Sequence, residues 1–366
     1  MTTDNNCNLT KLALVNFKNY EQADFDFCPK INCLVGNNGT GKTNVLDAIY
    51  YLSMTKSSLN SADTQNIRYD ADFFVIQGEY MRKGAPENLY CGIKRGQKKI
   101  FRRNRKDYDR MSEHIGLFPA VTVSPADSNL ITGRSEERRR FINEIISQYN
   151  RQYLHDMMQY NHALIQRNAL LKTFARDRTF NREILDLWTE QLAITGNRIY
   201  KCRSEFCLEI IPVFQTIYNE ISGTNEKVML VYNSQLRDGD FYTLLNEAIE
   251  KDRHLQFTTV GIHRDDLSMQ INNFTIRKHG SQGQQKTFLV ALKLANFGFI
   301  KQYCNITPVL LLDDIFDKFD ASRVANIIRI VSDERFGQIF ITDTAREHIE
   351  TILKDTNCTY KLFYLN

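Results

Sequence analysis

The sequence predicts an α/β fold interrupted by a block of long helices. Three observations carry this. Residues 31–54 read strand, glycine-rich turn, helix. From Ser135 to Thr195 there is neither glycine nor proline, and apolar residues recur at helical spacing. After about residue 250 strand patterns return, ending in strand–helix–strand order around PVLLLDD and QIFITD, as parallel strands joined by crossover helices require. The expected organisation is an α/β domain split between 1–125 and 251–366, with a helical insertion at 126–250.

The opening segments NLTKLALVNF, QADFDF and KINCLVG alternate as strands do. KTNVLDAIYYLSM follows with Val45, Leu46, Ile49, Tyr50 and Leu52 at helical spacing. DFFVIQGEYM and LYCGIKRGQKKIFRRN read as further strands, the second a hairpin around Arg95-Gly96. In the helical block, Ile142, Ile145, Ile146, Tyr149, Tyr153, Met157, Tyr160 and Leu164 recur, and a second helical run ends at Pro212. LQFTTVGIHRDDLSMQINNFTIRKHG reads as paired strands.

Bulk properties narrow the class. With 42% hydrophobic and 25% charged residues in 366, the chain is an ordinary globular one. No apolar run is long enough to cross a membrane, and the N-terminus lacks a secretory pattern. The eight cysteines show no C-x-x-C pair, so free thiols in a reducing cytoplasm are expected. The net charge of +4 is mild. Its distribution says more: Lys94 to Lys106 is densely basic, and RSEERRR adds Arg134, Arg138, Arg139 and Arg140. Two readings stand for these runs, a solvated face or a surface that displaces counterions from nucleic-acid phosphate.

The chemistry-bearing motif is GNNGTGKT, which fits G-x-x-x-x-G-K-[ST] between a strand and a helix. Gly36, Asn37, Asn38, Gly39, Thr40, Gly41, Lys42 and Thr43 form the predicted phosphate cradle. Its glycines let successive N–H groups converge on phosphate oxygens, and the positive end of the following helix adds to the attraction. Lys42 is expected to reach the β- and γ-phosphates and Thr43 to ligate Mg²⁺. PVLLLDD is a buried-strand pattern that delivers Asp313 as a second Mg²⁺ ligand and Asp314 as the residue orienting the attacking water; Asp317 and Asp320 follow. SQGQQK, Ser281 to Lys286, opens an apolar helix with small polar residues. Alone, it is a helix start able to cap against any anion.

With these motifs in place the chain resembles the RecF family, DNA-repair ATPases of the ABC/SMC-like group. The resemblance runs through NFKNYE, LVGNNGTGKTNVLDAIYYL, SPADSNLITGRSEERRRFIN, GIHRDDL, SQGQQK, LLLDDIFDKFD and QIFIT. It implies an ABC-type ATPase head with a mixed sheet. It also implies that Ser281, Gly283 and Gln284 are a signature motif binding the γ-phosphate of ATP held by a second copy's P-loop, and that Asp320 contacts the other subunit. The activity it implies is slow ATP hydrolysis, with an ATP-dependent homodimer associating with single-stranded or gapped DNA. RecO and RecR would be partners in recombinase loading, and the SOS response would be supported.

The chain departs from that pattern at five places. Gly261-Ile262-His263 stands for Gly-Pro-His. Ser124-Pro125-Ala126-Asp127 stands for Ser-Pro-Glu-Asp and leaves Asp127 as the carboxylate available to the nucleotide loop. Ser58-Leu59-Asn60 stands for Ser-aromatic-Arg. Thr342 and Asp343 occupy the place of a switch histidine, and Asp314 that of a glutamate usual among ABC ATPases. For His263 and Arg264 two readings remain, an approach to nucleotide or interface, and ion pairing with Asp265 and Asp266. The other function class compatible with the P-loop is a small-molecule kinase, which leaves SQGQQK unexplained. The basic hairpin at Lys98, Lys99, Arg102, Arg103 and Arg105 is the candidate DNA contact.

Overall fold

Ile31–Val35, Val309–Asp313 and Ile339–Asp343 are buried at every position. Strands covered on both faces belong in the interior of a parallel sheet, and that is where they lie. The computed structural model describes residues 6–315, 319–344 and 358–365; Asp317 lies outside them. The strands in chain order are β1 (Cys7–Phe17), β2 (Tyr20–Asp26), β3 (Ile31–Val35), β4 (Phe73–Arg82), β5 (Ala85–Lys94), β6 (Ile100–Arg103), β7 (Lys106–Asp107), β8 (Ala120–Val123), β9 (Val228–Asn233), β10 (Asp266–Ile271), β11 (Phe274–Thr275), β12 (Val309–Asp313), β13 (Ile339–Asp343) and β14 (Tyr360–Tyr364). The helices are α1 (Lys42–Met54), α2 (Asn129–Thr132), α3 (Ser135–Tyr149), α4 (Arg151–Asp177), α5 (Arg182–Ser222), α6 (Phe241–Glu247), α7 (Ile249–Leu255), α8 (Ile276–His279), α9 (Gln282–Cys304) and α10 (Ala321–Ser332).

The chain forms two compact units. The first comprises Met1–Asp127, Ile217–Thr224 and Lys286–Asn366. It holds a five-stranded parallel sheet in the order β14-β3-β13-β12-β8 and a six-stranded antiparallel sheet in the order β2-β1-β4-β5-β6-β7. The mixed pairing expected of the ATPase head is thus divided between two sheets. One core joins them: Val45, Leu46 and Ile49 of α1 cluster with Leu12 and Leu14 of β1, Phe74 and Ile76 of β4, and Leu34, Leu311 and Phe340 of the parallel sheet. Because α1 is covered on nearly all sides, its sequence is apolar nearly all round. The hairpin at Arg95-Gly96 forms as the sequence predicts, with Gly96 at φ 72°.

The second unit comprises Ser128–Thr216 and Asn225–Gln285. It contains α3, α4, α6, α7 and most of α5, with a three-stranded antiparallel sheet in the order β11-β10-β9. Residues 251–285, which sequence patterning joins to the ATPase region, fall in this unit. The reason is pairing: β10 runs against β9, Leu267 opposite Tyr232, and the acidic pair before it is neutralised by helix arginines. Arg138 bonds Asp266 at 2.6 Å, and Arg203 bonds Asp265 at 3.1 Å.

α5 continues through Pro212 to Ser222, beyond the end that proline suggests. Proline in a helix interior costs about 3 kcal/mol. Phe214, Tyr218 and Ile221, all fully buried after it, each contribute about 1.5–3 kcal/mol and outweigh it.

Candidate nucleotide site

The P-loop leaves β3 at Val35 and enters α1 at Lys42. Gly39 and Gly41 stand at φ 89° and 100°, left-handed conformations that favour glycine. At Gly41 crowding adds to conformation: a Cβ there would lie 2.6 Å from Asn19 Nδ2 and 2.7 Å from the Tyr20 hydroxyl. Thr40 N–H and Oγ1 donate to Asn37 O, at 3.4 and 3.0 Å, and tighten the turn. Asn37, Asn38 and Gly39 form the exposed rim. Lys42 is 6% exposed, and its Nζ donates to Gly36 O at 2.7 Å and Asn37 O at 2.9 Å. It therefore spans the curled loop from its inner side.

The acidic strand end meets this loop. Thr43 Oγ1 donates to Asp313 Oδ1 at 3.0 Å, and Thr342 Oγ1 donates to the same oxygen at 2.8 Å. The Thr342 oxygen also accepts the N–H of Asp314 at 2.9 Å. Asp314 sits at φ 51°, a left-handed conformation uncommon for a residue other than glycine, and is half-buried. Burial raises the Asp313 carboxyl above the usual carboxylate range, opposed by the Thr342 and Thr43 hydroxyls. A hydroxyl and a carboxylate side by side form the hard-oxygen pair that suits Mg²⁺, which takes its other ligands from phosphate and water. Asp343, next along β13, accepts Gly36 N–H on its carbonyl at 3.3 Å. The end of β13 thus braces both the P-loop and the acidic pair. Sequence reading misses this role of Thr342, for no spacing rule ties it to a strand end 29 residues away.

Ser281, Gly283 and Gln284 open α9 in the second unit. Ser281 N–H donates to Gln284 Oε1 at 2.8 Å and Gln284 N–H to Ser281 Oγ at 3.2 Å. This reciprocal pair is a capping box, so the polar start of the helix also ends it structurally. Asp320 caps α10, accepting the Arg323 N–H and the Ser322 hydroxyl, and is exposed.

Several other candidates have partners that redefine them. Asp127 pairs with Lys293 at 2.7 Å and accepts Ser124 N–H at 2.8 Å, so it is engaged within the protein. His263 Nδ1 meets the Tyr160 hydroxyl at 2.8 Å and Nε2 meets Thr258 O at 3.0 Å; Arg264 lies over the Phe257 ring. Neither ion-pairs with Asp265 or Asp266, which are taken by Arg203 and Arg138. In the basic hairpin, Arg103 bonds the buried Glu87 through two nitrogens, Lys99 bonds Asp63 at 2.7 Å, and Arg102 bonds Asp107 at 2.9 Å. Lys98 and Arg105 are exposed. Ser57 and Ser58 hydroxyls both donate to the buried Asp47, which also holds Lys18 at 2.6 Å. None of the eight cysteines is joined in a disulfide. No helix among the described residues is long and apolar enough to cross a membrane.

Residues 8–83 match the family described as SMC_N: RecF/RecN/SMC N terminal domain. The chain is 52% identical to the DNA replication and repair protein RecF of Phocaeicola vulgatus over 97% of its length and 95% of the relative's. It is 51% identical to that of Flavobacterium johnsoniae over 98% of its length and 99% of the relative's. The chain belongs to the RecF family. A solved structure of the recombination mediator protein RecF-ATPrS in the RecFOR pathway covers the whole chain, and 98% of that structure is covered in turn, with a TM-score of 0.88 at 28% identity. The Smc head domain of Pyrococcus furiosus, at 16% identity over 98% of this chain and 93% of that one, has a TM-score of 0.56 and shares the fold. RecF-family membership and the ABC ATPase head architecture agree with the strand–P-loop–helix and acidic strand end described above.

Proposed function

We propose that this RecF-family chain is an ATP-driven DNA-binding switch of recombinational repair and replication. The observation that carries the reading is the hydroxyl–carboxylate chain Thr43–Asp313–Thr342 set against the P-loop. A RecF-ATP structure with a TM-score of 0.87 supports ATP as the nucleotide.

In this reading Gly36 to Thr43 cradle the phosphates with backbone N–H groups, and Lys42 exchanges the carbonyls of Gly36 and Asn37 for phosphate oxygens. Thr43 and Asp313 would hold Mg²⁺, which would supply positive charge to offset that of the phosphates. Asp314 orients the attacking water, and hydrolysis is weak. Ser281, Gly283 and Gln284 of a second copy complete the γ-phosphate site, so ATP closes a homodimer and loss of the γ-phosphate reopens it. The dimer binds single-stranded or gapped DNA mainly through phosphates. Proteins of the RecO and RecR type are its mediator partners in recombinase loading, with support of the SOS response from the cytoplasm.

Sedimentation of the wild-type and Lys42→Ala proteins, with and without ATP and a DNA carrying a single-strand/double-strand junction, tests this. The wild type is expected to dimerise and bind DNA in ATP, and Lys42→Ala to remain monomeric. A wild-type mass unchanged by ATP, or equal dimerisation of the variant, overturns it.

A further inference from the structure

The signature turn already carries an anion from its own chain. Gln284 Oε1 is committed to the Ser281 N–H at 2.8 Å, which fixes the amide so that its NH₂ points the other way. That NH₂ donates to Glu226 Oε1 at 2.5 Å. Glu226 lies between α5 and β9 on backbone tied at both ends. Its carbonyl accepts Gln215 Nε2 at 2.8 Å, and Gln215 Oε1 accepts the N–H of Val228 at 2.9 Å. The turn itself is held on its other side, where Gln285 Nε2 donates to Gly280 O at 3.0 Å. The Glu226 carboxylate is therefore not a wandering surface group; two rigid pieces of the second unit bring it to Gln284.

We propose that Glu226 is an intrachain counter-anion for the signature turn, competing with the γ-phosphate of ATP for the Gln284 amide. This rests on the reading of SQGQQK as a γ-phosphate wall. Gln284 is a neutral donor and brings no charge of its own to offset two anions. A polyphosphate and a carboxylate on one amide repel each other through a partly desolvated gap, so closure has to displace Glu226. The displacement raises the ATP concentration at which dimers form and keeps the signature turn capped while ATP is scarce. Glu226 is a positioning residue: it acts on nucleotide through Gln284.

Glu226→Gln isolates the charge, because its amide oxygen still accepts from Gln284. The measurement is the ATPγS concentration giving half-maximal dimer in sedimentation, at low and high salt. That concentration is expected to fall about three- to tenfold in Glu226→Gln, and in the same direction in Glu226→Ala, with the difference narrowing as salt screens the repulsion. A merely structural contact predicts no change in Glu226→Gln, which keeps the hydrogen bond, and a higher requirement in Glu226→Ala, which loses it and loosens the turn. An unchanged or higher requirement in Glu226→Gln, beside a wild type that dimerises normally, removes the role of Glu226 and leaves the γ-phosphate reading standing. A wild type that stays monomeric in ATPγS overturns both.

Discussion

The Thr342 hydroxyl donates to Asp313 Oδ1 at 2.8 Å from full burial. Thr342 Oγ1 itself accepts the Asp314 N–H, so one side chain on β13 sets the position of both acidic residues. Hydroxyl bonds to a charged group are worth about 1.5–3 kcal/mol, and residues that orient a metal ligand change affinity by about 10–100-fold when lost. Thr342→Val keeps the shape and removes both bonds. It is expected to raise the Mg²⁺ concentration needed for tight ATP binding about tenfold, while Thr342→Ser retains the wild-type value. Fluorescent-nucleotide binding across a Mg²⁺ titration measures this; equal curves for valine and wild type would show that Thr342 merely fills space.

The basic hairpin divides into structural and available charges. Arg103 holds the buried Glu87, so Arg103→Ala should destabilise the fold by about 1–3 kcal/mol in urea unfolding. Arg103 and its neighbouring groups also hold the Glu87 carboxyl below its ordinary range. That contribution is present above the unfolded pKa near 4.3 and is lost as pH falls through the folded value. Lys98→Glu with Arg105→Glu is expected to leave stability within about 0.5 kcal/mol. It should weaken DNA binding and flatten the salt slope by about 1–2. An unchanged slope returns the hairpin to a solvated face.

Two histidines make stability depend on acid. Burial pushes His263 down to about 4, and His114, held between Tyr108 and Leu52 O, down to about 4 as well. In the unfolded chain both titrate near 6.5. Below that pH the unfolded state binds more protons, so stability falls as pH drops from about 6.5 toward 4. Each histidine is expected to cost about 2 kcal/mol between pH 7 and pH 5, read as a shift in urea midpoint. His114→Phe should remove its share of the slope; an identical slope in the variant argues that His114 is protonated in the fold.

Local motifs were legible because they depend on near neighbours. The curl of Gly36 to Thr43, the helix of α1, the buried runs of β3, β12 and β13 and the hairpin at Gly96 all follow from residue type within a few positions. β9 is not legible in the sequence because VMLVYN is short and follows a long helix, and its role exists only in pairing with β10. The roles of individual charges were not legible at all. Arg138 and Asp266 are 128 positions apart. By sequence Asp127 is available to nucleotide, but Lys293 pairs with it; by sequence Arg103 is available to DNA, but it bonds the buried Glu87. A charge in sequence has the same appearance whether it faces water or a partner. Which it faces is set by desolvation and contact, and these exist only once distant segments are packed together. Hence the sequence suffices for the nucleotide loop and the class of fold, whereas Thr342 over Asp313 and Glu226 under Gln284 are products of packing.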